Sequence, residues 1–252
     1  MGLSVSLFPG QGSQTSGMRD VVAQSRPDLL ALASDVVGED PFARASDGTK
    51  FAQPAIFCAS LAGWIALGRP GDVMAGHSLG ELTALVAAGY ISETDGLELV
   101  ALRGRLMQEA GEHFVDGGML ALLGDGAADH AAEIADAHDL AVANDNCPTQ
   151  VVLSGALPAL AAAAQAATEL GLRPMELPVS GAFHSPMMAS AVPSFSAALD
   201  RVEMHERRVL VLTAVTAKPY DDVRRRLVEG LPGRVLTGLV KRTLADKELV
   251  HA

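Results

Sequence analysis

The segment Gly76-His77-Ser78-Leu79-Gly80 constrains this chain more than any other. It has the spacing G-x-S-x-G. An apolar stretch, Asp72-Val73-Met74-Ala75, leads into it, and an apolar stretch from Leu82 to Ala88 leads out. A strand that turns sharply into a helix needs small residues on both sides of the turn, because a side chain there would crowd the backbone. The pattern therefore predicts a strand–turn–helix with Ser78 lifted above the end of a sheet. At the start of a helix, backbone N–H groups and the helix dipole favour negative charge. Ser78 is the expected nucleophile.

The rest of the chain agrees with an α/β protein. Residues 3–8 read as a first, buried strand, although the first six residues also fit an N-myristoylation pattern. The loop Pro9-Gly10-Gln11-Gly12-Ser13-Gln14 follows; it lacks the third glycine of a dinucleotide fingerprint. Residues 54–67 predict a buried helix and residues 94–110 an amphipathic one. Between 119 and 178 the order changes: strand 119–123, helix 127–137, strands 140–144 and 150–154, helix 157–170, strand 172–177. This is βαββαβ, the ferredoxin-like order. The tight Asn-Cys-Pro turn between its middle strands excludes a parallel arrangement, so the unit is expected as an insert in the larger α/β domain. A helix at 186–199, a strand at 209–215 and two terminal helices complete the expectation. The large domain takes 1–118 and 179–252, the insert 119–178.

Charge and composition exclude several functions. Thirty acidic against nineteen basic residues give a net charge of −11, unsuited to nucleic acid. No apolar run approaches the length of a membrane span, and no basic segment precedes a cleavable apolar one. Cys58 and Cys147 form no metal spacing and suit reduced cytosolic thiols, so a cytoplasmic chain without metal is expected.

A serine nucleophile needs a base. Of seven histidines, His113, His130, His138, His205 and His251 lie in polar stretches, and His77 points away from its neighbour Ser78. His184 ends the small-residue loop Ser180-Gly181-Ala182-Phe183 just before a helix, where loops present catalytic groups. On these grounds it is either the base or a hydrogen-bonded structural histidine. Arg103 is open in the same way: a functional guanidinium, or an exposed helix residue paired with Glu98 or Glu109. Arg105, two residues on, faces elsewhere.

Several segments stand in one order: Phe8-Pro9-Gly10-Gln11-Gly12-Ser13-Gln14, Gly76-His77-Ser78-Leu79-Gly80-Glu81, Arg103-Gly104 with Met107-Gln108, Asn146 to Gln150 before Val-Val-Leu-Ser-Gly, and Ala182-Phe183-His184-Ser185-Pro186. Together they resemble the malonyl-CoA:acyl-carrier-protein transacylases, including the acyltransferase domains of polyketide synthases. The resemblance implies an α/β-hydrolase-like domain carrying the ferredoxin-like insert. It implies ping-pong acyl transfer, with Ser78 as nucleophile and His184 as base. The backbone N–H groups of Gln11 and Leu79 would form the oxyanion hole, and Arg103 would bind the malonyl carboxylate. Gln150 is implied near the acyl pocket, and Phe183 as a bulky residue that favours malonyl over methylmalonyl. Malonyl-CoA and an acyl carrier protein are the implied partners of a monomer with no further cofactor. Arg207-Arg208, Arg224-Arg225-Arg226 and Lys241-Arg242 are the basic clusters a carrier could meet, or solvated helix charges. Two other readings are a serine thioesterase or hydrolase, and a non-catalytic carrier-binding protein.

One departure stands out. In the resembled family a helix–strand unit separates the segments that here meet at Gly230 and Leu231. The backbone near Gly230 is where the resemblance would place the carbonyl that orients His184. Loss of a strand from inside a sheet would leave buried backbone groups unpaired. The expectation is therefore that residues are omitted at this junction, or that the chain is a shortened form.

Overall fold

The computed structural model describes residues 4–205 and 209–220. The junction at Gly230–Leu231, the terminal helices and all three basic clusters lie outside them.

The strands form two sheets among the described residues. β1 (Val5–Phe8), β2 (Val73–Gly76) and β7 (Leu210–Leu212) make a parallel sheet in the order β1-β2-β7. Register is set by Val5 opposite Val73 and Val73 opposite Leu210. Parallel neighbours need long crossovers. The first is α1 (Met18–Ser25), α2 (Pro27–Val37) and α3 (Thr49–Ala66). The second starts with α4 (Leu79–Ala87) and α5 (Glu93–His113), passes through the second sheet, and returns through α8 (Val192–Leu199). The core between them joins Phe8, Met74 and Val211 of the strands to Phe57, Leu61, Leu85 and Leu97 of the helices. Each such side chain, fully buried, contributes about 1.5–3 kcal/mol.

The second sheet holds β3 (Gly117–Leu123), β4 (Ala141–Cys147), β5 (Gln150–Ala156) and β6 (Arg173–Glu176) in the order β4-β5-β3-β6, every pair antiparallel. α6 (Ala127–Ala137) and α7 (Leu157–Glu169) supply its core with Ile134 and Leu160, against Leu120, Leu122, Val151 and Leu153. A third cluster joins this sheet to the larger unit: Met107 of α5 meets Met119, Ala121, Ala143, Val152 and Phe183.

Four elements differ from the sequence expectation. α3 begins at Thr49, five residues before Pro54, which sits inside the helix. A proline there forfeits one helical hydrogen bond and costs about 3 kcal/mol. Burial of Phe51, Ala52 and Ala55, all 2% exposed or less, offsets it. The helix expected over 186–199 is two pieces, a 3-10 turn over Pro186–Ala191 and then α8. Pro193, at the start of α8, cannot donate to the turn before it. β7 stops at Leu212 because Thr213 accepts from the Thr216 backbone through its hydroxyl and closes a turn. The first strand is also not buried on both faces: Phe8 is covered but Leu7 is 42% exposed.

The two cysteines are unlike. Cys58 is fully buried in α3, and burial pushes its thiol up to about 12. Cys147 is half-buried at the β4–β5 turn. In the native protein a disulfide reagent at pH 8 is expected to titrate one thiol, and two after denaturation. Two fast-reacting thiols in the native state would contradict this burial.

Candidate active site

The elbow is built by its glycines. A Cβ on Gly76 would lie 1.9 Å from the carbonyl carbon of Gly80, and one on Gly80 would lie 2.0 Å from the Phe8 carbonyl oxygen. Neither position admits a side chain, so β2 can turn directly into α4 against the end of β1. Ser78 pays for this turn in backbone strain: φ is 52° and ψ −105°. Such a conformation costs on the order of 1–3 kcal/mol and persists only where the surroundings impose it.

Ser78 Oγ has two polar neighbours. His184 Nε2 lies 2.9 Å away, and Arg103 Nη2 donates to the same oxygen at 2.9 Å. His184 also has a left-handed backbone, with φ 59°. Its loop is pinned by Ser185, whose hydroxyl donates to the Ala182 carbonyl and accepts from the Met187 N–H. The geometry thus brings Ser78, His184 and Arg103 from three distant stretches of sequence to one point.

Arg103 is buried, 8% exposed, rather than paired on the helix surface. Its Nη1 donates to Gln53 Oε1 at 2.9 Å. Burial pulls its pKa down to about 10, against the opposing attraction of the Glu81 carboxylate. Arg105 does face outward, 3.1 Å from Glu109. A buried cation whose hydrogen-bond partners are neutral can take an anion on its N–H groups. Arg103 and His184 also border a cavity of about 330 Å³ whose other walls include Leu106, Met107, Met188 and Phe195.

The first loop packs on the elbow. A Cβ on Gly10 would lie 2.6 Å from the His77 carbonyl oxygen, so only glycine lets the loop come this close. Gln11 follows directly, its Nε2 donating to Thr49 Oγ1 at 3.3 Å. Among the described residues, the backbone N–H groups of Gln11 and Leu79 have no protein acceptor. Donors left open beside a nucleophile can receive the oxygen of a tetrahedral intermediate.

Two other expected site residues stand further back. Gln150 Oε1 accepts from Asn146 Nδ2 at 3.1 Å, and Asn146 Oδ1 accepts from His77 Nε2 at 3.1 Å. His77 is therefore not a base for Ser78. Burial lowers its pKa, with the Asn146 bond opposing, so it stays neutral and joins the elbow to the β4–β5 hairpin. Phe183 is 5% exposed and packs in the cluster around Met107. It does not line the cavity, so its expected effect on acyl shape would pass through Met107, which lies in both. Gly230 lies outside the described residues.

Three participants were not singled out in the sequence. Gln53 holds Arg103. Glu81, 9% exposed, accepts from the Ala214 N–H at 2.9 Å and from the Tyr220 hydroxyl, which ties the loop after β7 to the elbow helix. Burial raises its carboxyl pKa, opposed by those two bonds and by Arg103. As an acidic residue in a first helical turn, Glu81 looks in sequence like an ordinary dipole partner. The polar residue before Pro54 and the aromatic at 220 carry no local signal at all.

A serine held by a histidine at a helix N-terminus, with open N–H donors and a buried guanidinium, defines an acyl-transfer site. Residues 5–231 match the acyl transferase domain family, and the chain belongs to it. It is 40% identical to the polyketide biosynthesis protein ThaF of Burkholderia thailandensis over 91% of this chain, though it spans only 21% of that protein. It is 33% identical to the polyketide biosynthesis malonyl CoA-acyl carrier protein transacylase BaeC of Bacillus velezensis, over 96% of this chain and 97% of BaeC. The BaeC match extends over 289 aligned positions, more than the 252 residues here, so BaeC carries residues without a counterpart in this chain. Among solved structures, FabD from Acinetobacter baumannii superposes with a TM-score of 0.85 at 33% identity, over 96% of this chain and 83% of that one. Among the described residues, no helix is long and apolar enough to cross a membrane.

Proposed function

We propose that this chain transfers a malonyl group from coenzyme A to the phosphopantetheine thiol of an acyl carrier protein. Ser78 gives its proton to His184 Nε2 and its oxygen attacks the thioester carbonyl. The oxyanion forms towards the Gln11 and Leu79 N–H groups, each such donor being worth about 10²–10³ in rate. Collapse breaks the carbon–sulfur bond, and the coenzyme A thiolate takes the proton from His184. The carrier thiol then gives its proton to His184 and attacks the malonyl-serine carbonyl; the bond to Ser78 Oγ breaks, and that oxygen takes the proton back from His184.

The observation that carries this reading is the buried guanidinium on the nucleophile's oxygen. A hydrolase of neutral esters has no use for a cation there without a carboxylate in direct contact, whereas the free carboxylate of malonyl would pair with it. The thioester is substrate, and no resident cofactor is required. The name of BaeC supports malonyl-CoA and a carrier protein as partners. We read the parallel sheet and its helices as the α/β-hydrolase-like domain, residues 1–118 and 179–252. Residues 119–178, with strand order β4-β5-β3-β6, are the ferredoxin-like subdomain. A monomer in the cytoplasm, with Phe183 and Gln150 tuning the acyl pocket from behind, completes the proposal.

Incubation with radiolabelled malonyl-CoA, with and without carrier protein, tests it. Label is expected on the enzyme and then on the carrier. Label lost to water as malonate would select a hydrolase, and no label at all a non-catalytic protein. Arg103→Ala is expected to cost malonyl transfer roughly ten-fold to above a hundred-fold, the worth of a charge-assisted contact, and to favour uncharged acyl groups relatively. An unchanged preference for malonyl over acetyl in competition assays would remove Arg103 from the site.

A further inference from the structure

Arg103 does more in this geometry than wait for a carboxylate. Its Nη2 donates to the attacking oxygen itself. A serine oxygen has one proton and two lone pairs. The oxygen pairs with His184 Nε2 at 2.9 Å, to which the serine donates when that nitrogen is unprotonated, and one lone pair is held by the guanidinium at the same distance. A lone pair engaged by a cation is a poorer nucleophile, because its charge is drawn into the donor. We propose that Arg103 is a latch on Ser78, closed in the free enzyme and opened by the carboxylate of the incoming substrate.

The surroundings of Arg103 fit a latch. Its second bond goes to a neutral partner, Gln53 Oε1, and no carboxylate lies within 4 Å of it among the described residues. A guanidinium prefers a carboxylate, taken on two parallel N–H groups, to a hydroxyl taken on one. The cavity of about 330 Å³ beside it gives the side chain room to shift off Ser78. Specificity would then operate on reactivity as well as on affinity. An acyl donor without a carboxylate leaves the latch closed and meets a restrained serine. A malonyl donor releases the serine as it binds. This inference rests on the reading of Arg103 as the carboxylate site.

The test uses the small neutral ester p-nitrophenyl acetate, which carries no carboxylate. In its reaction the Ser78 oxygen–acetyl bond forms, the bond to p-nitrophenolate breaks, and the serine proton passes through His184 to solvent. The burst of p-nitrophenolate is measured for the wild type, for Arg103→Met, which keeps length without charge, and for Gln53→Glu. The last supplies a built-in carboxylate of nearly the same shape, which draws the guanidinium away from Ser78. Both variants are expected to react with the neutral ester roughly ten- to a hundred-fold faster than the wild type. Both should label more slowly with malonyl-CoA. Burst rates at or below that of the wild type would overturn the latch, whatever malonyl-CoA does. If Arg103→Met does not fold, the nearly isosteric Gln53→Glu decides alone. Unchanged malonyl labelling in Arg103→Met would instead overturn the carboxylate site, a separable failure.

Discussion

Ser78→Ala should take up no malonyl label and lose transfer by about three orders of magnitude or more, since the residual rate of a site without its nucleophile comes from binding and oxyanion donors alone. The fold should persist. Alanine keeps the Cβ that the elbow already accommodates, and the glycines that make the turn are untouched. Intact-mass analysis after exposure to malonyl-CoA is the direct measurement, and label on the variant would place the nucleophile elsewhere. Ser78→Gly should be equally inactive yet melt above Ser78→Ala. The backbone at φ 52°, ψ −105° strains any residue with a Cβ, by about 1–3 kcal/mol, and glycine adopts it freely. The extra freedom of glycine in the unfolded chain returns only about 0.4–1 kcal/mol of that gain. A lower melting temperature for the glycine variant would mean that the elbow is not strained.

His184→Asn should slow both half-reactions by about 10²–10⁴, the usual contribution of a general base. Asparagine is the informative substitution because the position has φ 59°, a left-handed conformation that asparagine tolerates better than other residues with a side chain. It cannot take a proton at neutral pH. Circular dichroism and thermal melting should match the wild type, which separates loss of the base from loss of the loop. Acylation within a few-fold of the wild type would take the proton transfer away from His184. His77 is no substitute, since its Nε2 is committed to Asn146.

The sequence by itself determined what depends on near neighbours in the chain. Gly76 announces the elbow because the contact it avoids, with Gly80, lies within that turn, whereas the contact Gly80 avoids, with the Phe8 carbonyl, is made only when β1 packs beside it. The bounds of α6 coincide with the expected 127–137, because Gly124 and Gly126 open it and alternating small and charged residues set its face. The βαββαβ order was legible because the tight Asn-Cys-Pro turn leaves no room for a crossover, although the structure carries β4 through Cys147 and turns at Pro148 and Thr149. Tertiary structure decided the rest. The residues alone left Arg103 either a functional guanidinium or an exposed helix residue paired with Glu98 or Glu109. Only the packing of α5 against α3 turns it inward to Gln53, fifty residues earlier in the chain. Pro54 obscured the start of α3, and the burial of Phe51 and Ala52 overrode it. Glu81 meets Tyr220 across 139 residues, and Ser78 meets His184 across 106. Local rules read steric and turn chemistry over a few residues. A hydrogen bond between distant residues exists only once the two cores have fixed the distance between the elements that carry them, and the site is made of such bonds.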